Sequence, residues 1–133
     1  GIRMFLNNPI SGVGIKNFRV FCSEKEYYIS QYTCSPHPHS TYVQLLSETG
    51  IIGSLIVFIC FIYLNMRLIS HYNKCSADKP IYKDYQICFL ISFYLTLWPL
   101  VPSGNFFNNW LSIIYFYPVG IFLWSVNKQD INN

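Results

Sequence analysis

Thr49-Gly50-Ile51-Ile52-Gly53-Ser54-Leu55-Ile56-Val57-Phe58-Ile59-Cys60-Phe61-Ile62-Tyr63-Leu64-Asn65-Met66 runs for 18 residues without an Asp, Glu, Lys or Arg. An α-helix rises about 1.5 Å per residue, so a bilayer core of roughly 30 Å takes about 20 apolar residues. The stretch predicts one membrane crossing. A second charge-free stretch, Tyr85 to Asn127, is 43 residues long and has room for two crossings and a turn. Composition agrees: charged residues make up 11% of the 133-residue chain, against roughly 25% in soluble domains, too few to cover a soluble surface. The net charge of +3, with no single basic patch, gives no footprint for nucleic acid.

Working outward, the expected spans are about 51–69, 85–101 and 110–126, with a turn over 102–109 and a tail over 128–133. Trp98, Trp110 and Trp124 fall near span ends, where amphipathic rings favour the headgroup interface. Gly53 and Ser54 are small enough for close helix contact, and Arg67 is placed to snorkel. The architecture expected is an all-α integral membrane protein: three transmembrane helices within residues 50–127, preceded by a mostly helical or irregular loop over residues 1–49. Gly1 is not an initiator methionine and no signal peptide is visible, so the chain reads as the C-terminal part of a longer membrane protein.

Orientation follows from Lys and Arg density. The segment from Arg67 to Lys83 carries Arg67, Lys74, Lys79 and Lys83 within 17 residues, whereas the 102–109 turn carries no basic residue. The positive-inside rule puts the Ser70–Asp84 loop and the C-terminus in the cytoplasm, and residues 1–49 outside. Arg3, Lys16, Arg19 and Lys25 oppose this rule but are spread over the long loop. The cysteines give a separate argument. Cys22 and Cys34 share the loop placed outside, where disulfides persist. A bridge between them closes a loop of about a dozen residues, worth roughly 3 kcal/mol in the chain-entropy model.

Within that loop Asn7-Asn8-Pro9 stops a helix, because proline disfavours the helical conformation in the residue before it. Gly12 and Gly14 permit tight turns. A helix is expected to start at Ser40 or Thr41, with Thr41 and Gln44 matching a capping box, and to bend at Gly50. The polar run Cys34-Ser35-Pro36-His37-Pro38-His39-Ser40-Thr41-Tyr42 holds the candidate chemistry. His39, just before the helix, suits a general base, since an imidazole titrates near neutral pH. The plainer reading is a surface histidine at a helix start. Cys22, Cys34, His37 and His39 present four metal-ligand types, but not at the paired spacing of zinc motifs. Arg3, Lys16 and Arg19 offer cations to a phosphate, or simply solvate the loop. Glu48 lies just before the first span, where a carboxylate also serves as an interfacial cap.

Two stretches carry a resemblance. Asn8-Pro9-Ile10-Ser11-Gly12-Val13-Gly14-Ile15-Lys16-Asn17-Phe18 is followed by His37-Pro38-His39-Ser40-Thr41-Tyr42-Val43-Gln44-Leu45-Leu46-Ser47-Glu48-Thr49-Gly50-Ile51-Ile52-Gly53. Together they resemble the C-terminal part of the O-antigen ligase and O-antigen polymerase family. Its pattern is an NP-x-x-G-x-G turn, a large periplasmic loop, then H-P-H-N-x-Y-L-Q-x-x-x-E-x-G leading into a membrane helix. The resemblance implies a multi-span protein of the bacterial inner membrane, with residues 1–49 periplasmic. It implies transfer of a glycan from undecaprenyl diphosphate to lipid A–core in a ligase, or to another lipid-linked repeat in a polymerase. His39 takes the catalytic-base position. Arg3, Arg19, His37 and Glu48 are the substrate-binding candidates in the same compartment, although the family's diphosphate-binding arginines lie mostly upstream. Ser40 stands where the family has asparagine; serine can cap a helix but offers no amide.

The implied reaction needs no nucleotide, redox or metal cofactor, because the sugar–diphosphate bond is already activated. A direct attack of this kind inverts the anomeric centre. The partners implied are the lipid-linked glycan, the lipid A–core or glycan acceptor, and membrane lipids. The reading from another class is a membrane scaffold or transporter segment whose loop only binds a glycan or a protein. The topology has a direct test: Cys75, placed inside, should resist an impermeant thiol reagent in intact cells and react after permeabilisation. Labelling of Cys75 in intact cells overturns the orientation.

Overall fold

The protein is seen in a computed structural model that describes residues 1–28, 30, 34–77, 80–100 and 102–131. Lys79, Val101 and the last two residues of the tail therefore lie outside the described residues. Among these residues five helices follow in order: α1 (Ile2–Asn7), α2 (Phe18–Phe21), α3 (Thr41–Cys75), α4 (Asp84–Thr96) and α5 (Asn109–Ile131). Among the described residues no strand occurs.

Helix α3 is broken at Gly50, whose φ of 64° and ψ of −161° lie outside helical space. That combination is essentially reserved to glycine. The Pro9–Gly14 turn docks on the break. Val13 N–H donates to the Ser47 carbonyl at 2.9 Å and Gly14 N–H to the Glu48 carbonyl at 2.9 Å. Ile51 N–H, at the start of the second arm, donates to the Pro9 carbonyl at 2.8 Å. A helix end normally leaves such groups unpaired; here the turn satisfies them. Contact is close enough to exclude side chains. A Cβ on Gly50 would overlap the Ile10 carbonyl, and one on Gly12, at φ 67°, would overlap the Glu48–Thr49 backbone.

The chain divides into two compact units, 1–58 with 99–111, and 59–98 with 112–133. In the first, Met4, Phe18 and Cys22 form a buried cluster, joined by Val13, Phe21, Tyr27 and Cys34. Cys22 and Cys34 are bonded as a disulfide, with Cα atoms 5.4 Å apart. This bond takes both sulfurs out of the four-ligand metal set. In the second unit Phe61 stacks on Tyr94 at 5.3 Å. Tyr94 O–H donates to Asn65 Oδ1 at 3.1 Å, while the Asn65 amide donates to the Phe61 carbonyl, so this polar side chain is satisfied among apolar ones. Arg67 Nε donates to the Tyr82 hydroxyl at 2.6 Å, a protein contact where snorkelling to headgroups was expected.

Among the described residues two helices, α3 and α5, are long and apolar enough to cross a membrane. Their large apolar side chains face outward, Ile56, Ile69, Ile114 and Trp124 among them, each at least 60% exposed. The expected middle span over 85–101 is shorter than its charge-free stretch implied. Helix α4 has 13 residues, a rise of about 20 Å, short of the roughly 30 Å of a bilayer core. Its last turn tightens, with Leu97 N–H and Trp98 N–H donating three residues back, to Tyr94 and Leu95. Thr96 Oγ1 donates to the Phe93 carbonyl, and Pro99 disfavours a helical Trp98. In α5, Pro118 lies inside the helix, where it removes one backbone hydrogen bond.

The break at Gly50 predicts that Gly50→Ala destabilises the protein by about 1–3 kcal/mol. Gly120→Ala is the control, since a methyl there meets nothing within 4 Å. Unfolding in detergent, followed by circular dichroism, reads both. Equal stability of Gly50→Ala and the parent chain would contradict the account of the break.

Candidate functional site

The first arm of α3 presents its polar side chains inward. Thr41, Gln44, Ser47 and Glu48 are all buried, Gln44 and Ser47 completely and Glu48 to 2% exposure. Such groups are tolerated only when paired. Glu48 Oε1 accepts from Phe18 N–H at 3.1 Å, and Glu48 Oε2 accepts from Gln44 Nε2 at 3.1 Å. Gln44 Nε2 also reaches Asn105 Oδ1 at 2.7 Å, and Gln44 Oε1 accepts from Phe106 N–H at 2.9 Å. The capping box expected from Thr41 and Gln44 is not what these side chains form. Thr41 Oγ1 donates to Ser103 Oγ at 2.8 Å, and Gln44 reaches into the 102–109 turn, where Asn105 Oδ1 and Phe106 N–H complement its amide. Three segments distant in sequence are thereby tied through one amide and one carboxylate.

His39 sits where this arrangement opens. Its side chain is exposed, and its carbonyl accepts from Ser103 N–H at 3.2 Å. The ring of His37 lies edge-on to it, with centroids 4.8 Å apart at 64°. The prolines on either side of His37 restrict its backbone, and Ser35 Oγ donates to the His37 carbonyl at 2.7 Å. His37 Nε2 is buried and has no hydrogen-bond partner among the described residues.

Beside these elements is a cavity of about 310 Å³ lined by Lys16, Arg19, Pro36, Asn105, Asn108, Asn109 and Trp110. Lys16 takes a left-handed backbone, φ 64°, in the turn closed by Asn17 N–H donating to the Gly14 carbonyl. Its Nζ donates to Asn109 Oδ1 at 3.3 Å. Of the residues proposed from the sequence, Lys16 and Arg19 line this cavity; Arg3, His37, His39 and Glu48 are not among its lining residues. Arg3 is exposed on α1. Glu48 is turned inward, with each carboxylate oxygen accepting a protein donor. The sequence alone marks Asn105, Asn108 and Asn109 only as part of a polar turn, and Trp110 as an interfacial ring at a span end; none stands out there as a site residue. The only further sequence signal is the clustering of three asparagines inside an otherwise apolar half of the chain.

Residues 1–59 match the family model described as O-antigen ligase. The match covers both motifs, and it places this segment in the O-antigen ligase and polymerase family, whose members are glycosyltransferases. Together with the two long apolar helices it makes the chain a membrane protein. No curated protein and no solved structure matches the chain.

Proposed function

We propose that this chain forms part of the transfer centre of an inner-membrane glycosyltransferase that moves a glycan from undecaprenyl diphosphate to a hydroxyl on lipid A–core or on another lipid-linked repeat. One observation carries the reading. His39 stands exposed at the mouth of a broken helix whose break is built from both family motifs. An exposed imidazole fixed through its backbone can meet a substrate hydroxyl, whereas the inward-facing Glu48 is already committed to protein donors. In the proposed step His39 takes the proton of the acceptor hydroxyl as that oxygen bonds to the anomeric carbon. The bond from that carbon to the diphosphate oxygen breaks, and its electron pair leaves on the diphosphate. Cationic groups offset the charge that develops there. The anomeric centre inverts.

The proposed topology keeps residues 1–49 and the 102–109 turn on the periplasmic side and the Ser70–Asp84 loop and the tail in the cytoplasm. The carrier lipid stays in the bilayer, so chemistry on its headgroup belongs at this interface. In this reading α4 crosses with flanking non-helical residues, completing three passes. Glu48 acts as a positioning residue: it fixes Gln44 and the start of α2, which carries Arg19.

In the full-length protein, His39→Ala should leave membrane insertion intact and reduce glycan transfer by about 10²- to 10⁴-fold, the usual contribution of a general base. His37→Ala should cost less, since its neighbouring prolines already restrict that backbone. The assay is transfer of lipid-linked glycan to acceptor at protein levels matched by immunoblot. Near-parental transfer by His39→Ala would remove the base assignment and leave a binding scaffold as the better reading.

A further inference from the structure

We infer that the cavity bounded by Lys16, Arg19 and the Asn105–Trp110 segment is a recognition site for an acid-bearing sugar, one carrying a carboxylate or a phosphate, in the glycan or its acceptor. The inference rests on the glycan-transfer reading for the ligand's being a sugar. Its acidic character rests on the lining itself.

The three asparagines decide the sign of the site. A carboxamide offers one acceptor oxygen and an NH2 with two donors. Asn105 Oδ1 accepts from Gln44 Nε2 at 2.7 Å and from Phe107 N–H at 3.0 Å. Asn108 Oδ1 accepts from Trp110 N–H at 3.0 Å and Leu111 N–H at 3.3 Å. Asn109 Oδ1 accepts from Lys16 Nζ at 3.3 Å. Every amide oxygen is thus engaged by the protein, while the three NH2 groups make no hydrogen bond among the described residues. The remaining hydrogen-bonding capacity of the lining side chains is almost wholly donating: three amides, the Lys16 ammonium and the Arg19 guanidinium. Among the described residues no acidic side chain lines the cavity. A neutral sugar hydroxyl both donates and accepts, so it gains little from such a wall. An oxyanion only accepts, and hydrogen bonds from cations to oxyanions are about twice as strong as neutral ones.

Size and the remaining lining residue point to a sugar rather than a bare ion. The volume of about 310 Å³ lies at the low end of ligand pockets, roughly 300–1,000 Å³, much larger than a single phosphate requires. Trp110 contributes an exposed ring at its edge, a flat apolar face for the C–H side of a pyranose. The left-handed Lys16 adds a second cue. A non-glycine residue in that conformation is uncommon, and here it carries the ammonium across to Asn109.

The test is a set of titrations of the full-length protein in lipid nanodiscs, read by saturation-transfer NMR, with D-glucuronate, D-glucose 6-phosphate, D-glucose and pyrophosphate. Glucuronate or glucose 6-phosphate should bind at least tenfold more tightly than glucose. Lys16→Gln and Arg19→Gln should each weaken that binding by about tenfold, the size of one charge-assisted hydrogen bond. Trp110→Ala should abolish transfer to the sugar ring protons. Binding of pyrophosphate without either acidic sugar would assign the cavity to the carrier's diphosphate and overturn the proposal, as would equal binding of glucose. His39→Ala separates this proposal from the one it rests on, because it should leave sugar binding unchanged. If the acidic sugars bind while His39→Ala transfers normally, the cavity stands and the base assignment falls. If no acidic sugar binds while transfer depends on His39, the cavity proposal alone falls.

Discussion

At Gly50 helix α3 loses its own hydrogen-bond ladder, and the Pro9–Gly14 turn supplies the missing partners from outside. Two amides of the turn take carbonyls at the end of the first arm, and one carbonyl of the turn takes the amide that opens the second. Each buried backbone group left unpaired would cost about 1–3 kcal/mol, and more beside lipid, where no water can substitute. Docking in turn requires that neither backbone carry a side chain at the contact, which is why glycine stands at both Gly12 and Gly50. The two sequence motifs are therefore the two halves of one joint.

Everything polar at this end is organised from that joint. Because the first arm of α3 is redirected, Gln44 and Glu48 point into the protein, where they gather Phe18, Asn105 and Phe106. The same arrangement leaves His39 at the surface, tied through its carbonyl to Ser103. A buried carboxylate, an exposed imidazole and a donor-lined cavity thus arise from one packing decision. The division of labour is physical: the group whose oxygens are occupied holds structure, and groups with unused capacity are left to meet a ligand.

Much of this was legible in the sequence. The charge-free stretch before Arg67 located the long apolar arm of α3, and the bend at Gly50 followed from glycine after a short amphipathic turn. Helix α4 was overestimated, because counting uncharged residues ignores Thr96 and Pro99, which end the helix early. The spacing of Gln44 from Thr41 fits a local cap, yet beyond Glu48, four residues on, its partners lie 61 and 62 residues away. The cavity was out of reach for the same reason. Lys16 and Asn109 are 93 residues apart, and neither hydropathy nor spacing carries information over that separation.

The joint at Gly50 is the claim on which the rest turns, and hydrogen exchange of the full-length protein in lipid nanodiscs tests it most directly. The amides of Val13, Gly14 and Ile51 should exchange slowly and at a common rate, as parts of one opening unit, and Gly50→Ala should accelerate all three together. Exchange of Val13 and Gly14 at the rate of an open loop, with Ile51 protected as an ordinary helical amide, would contradict it.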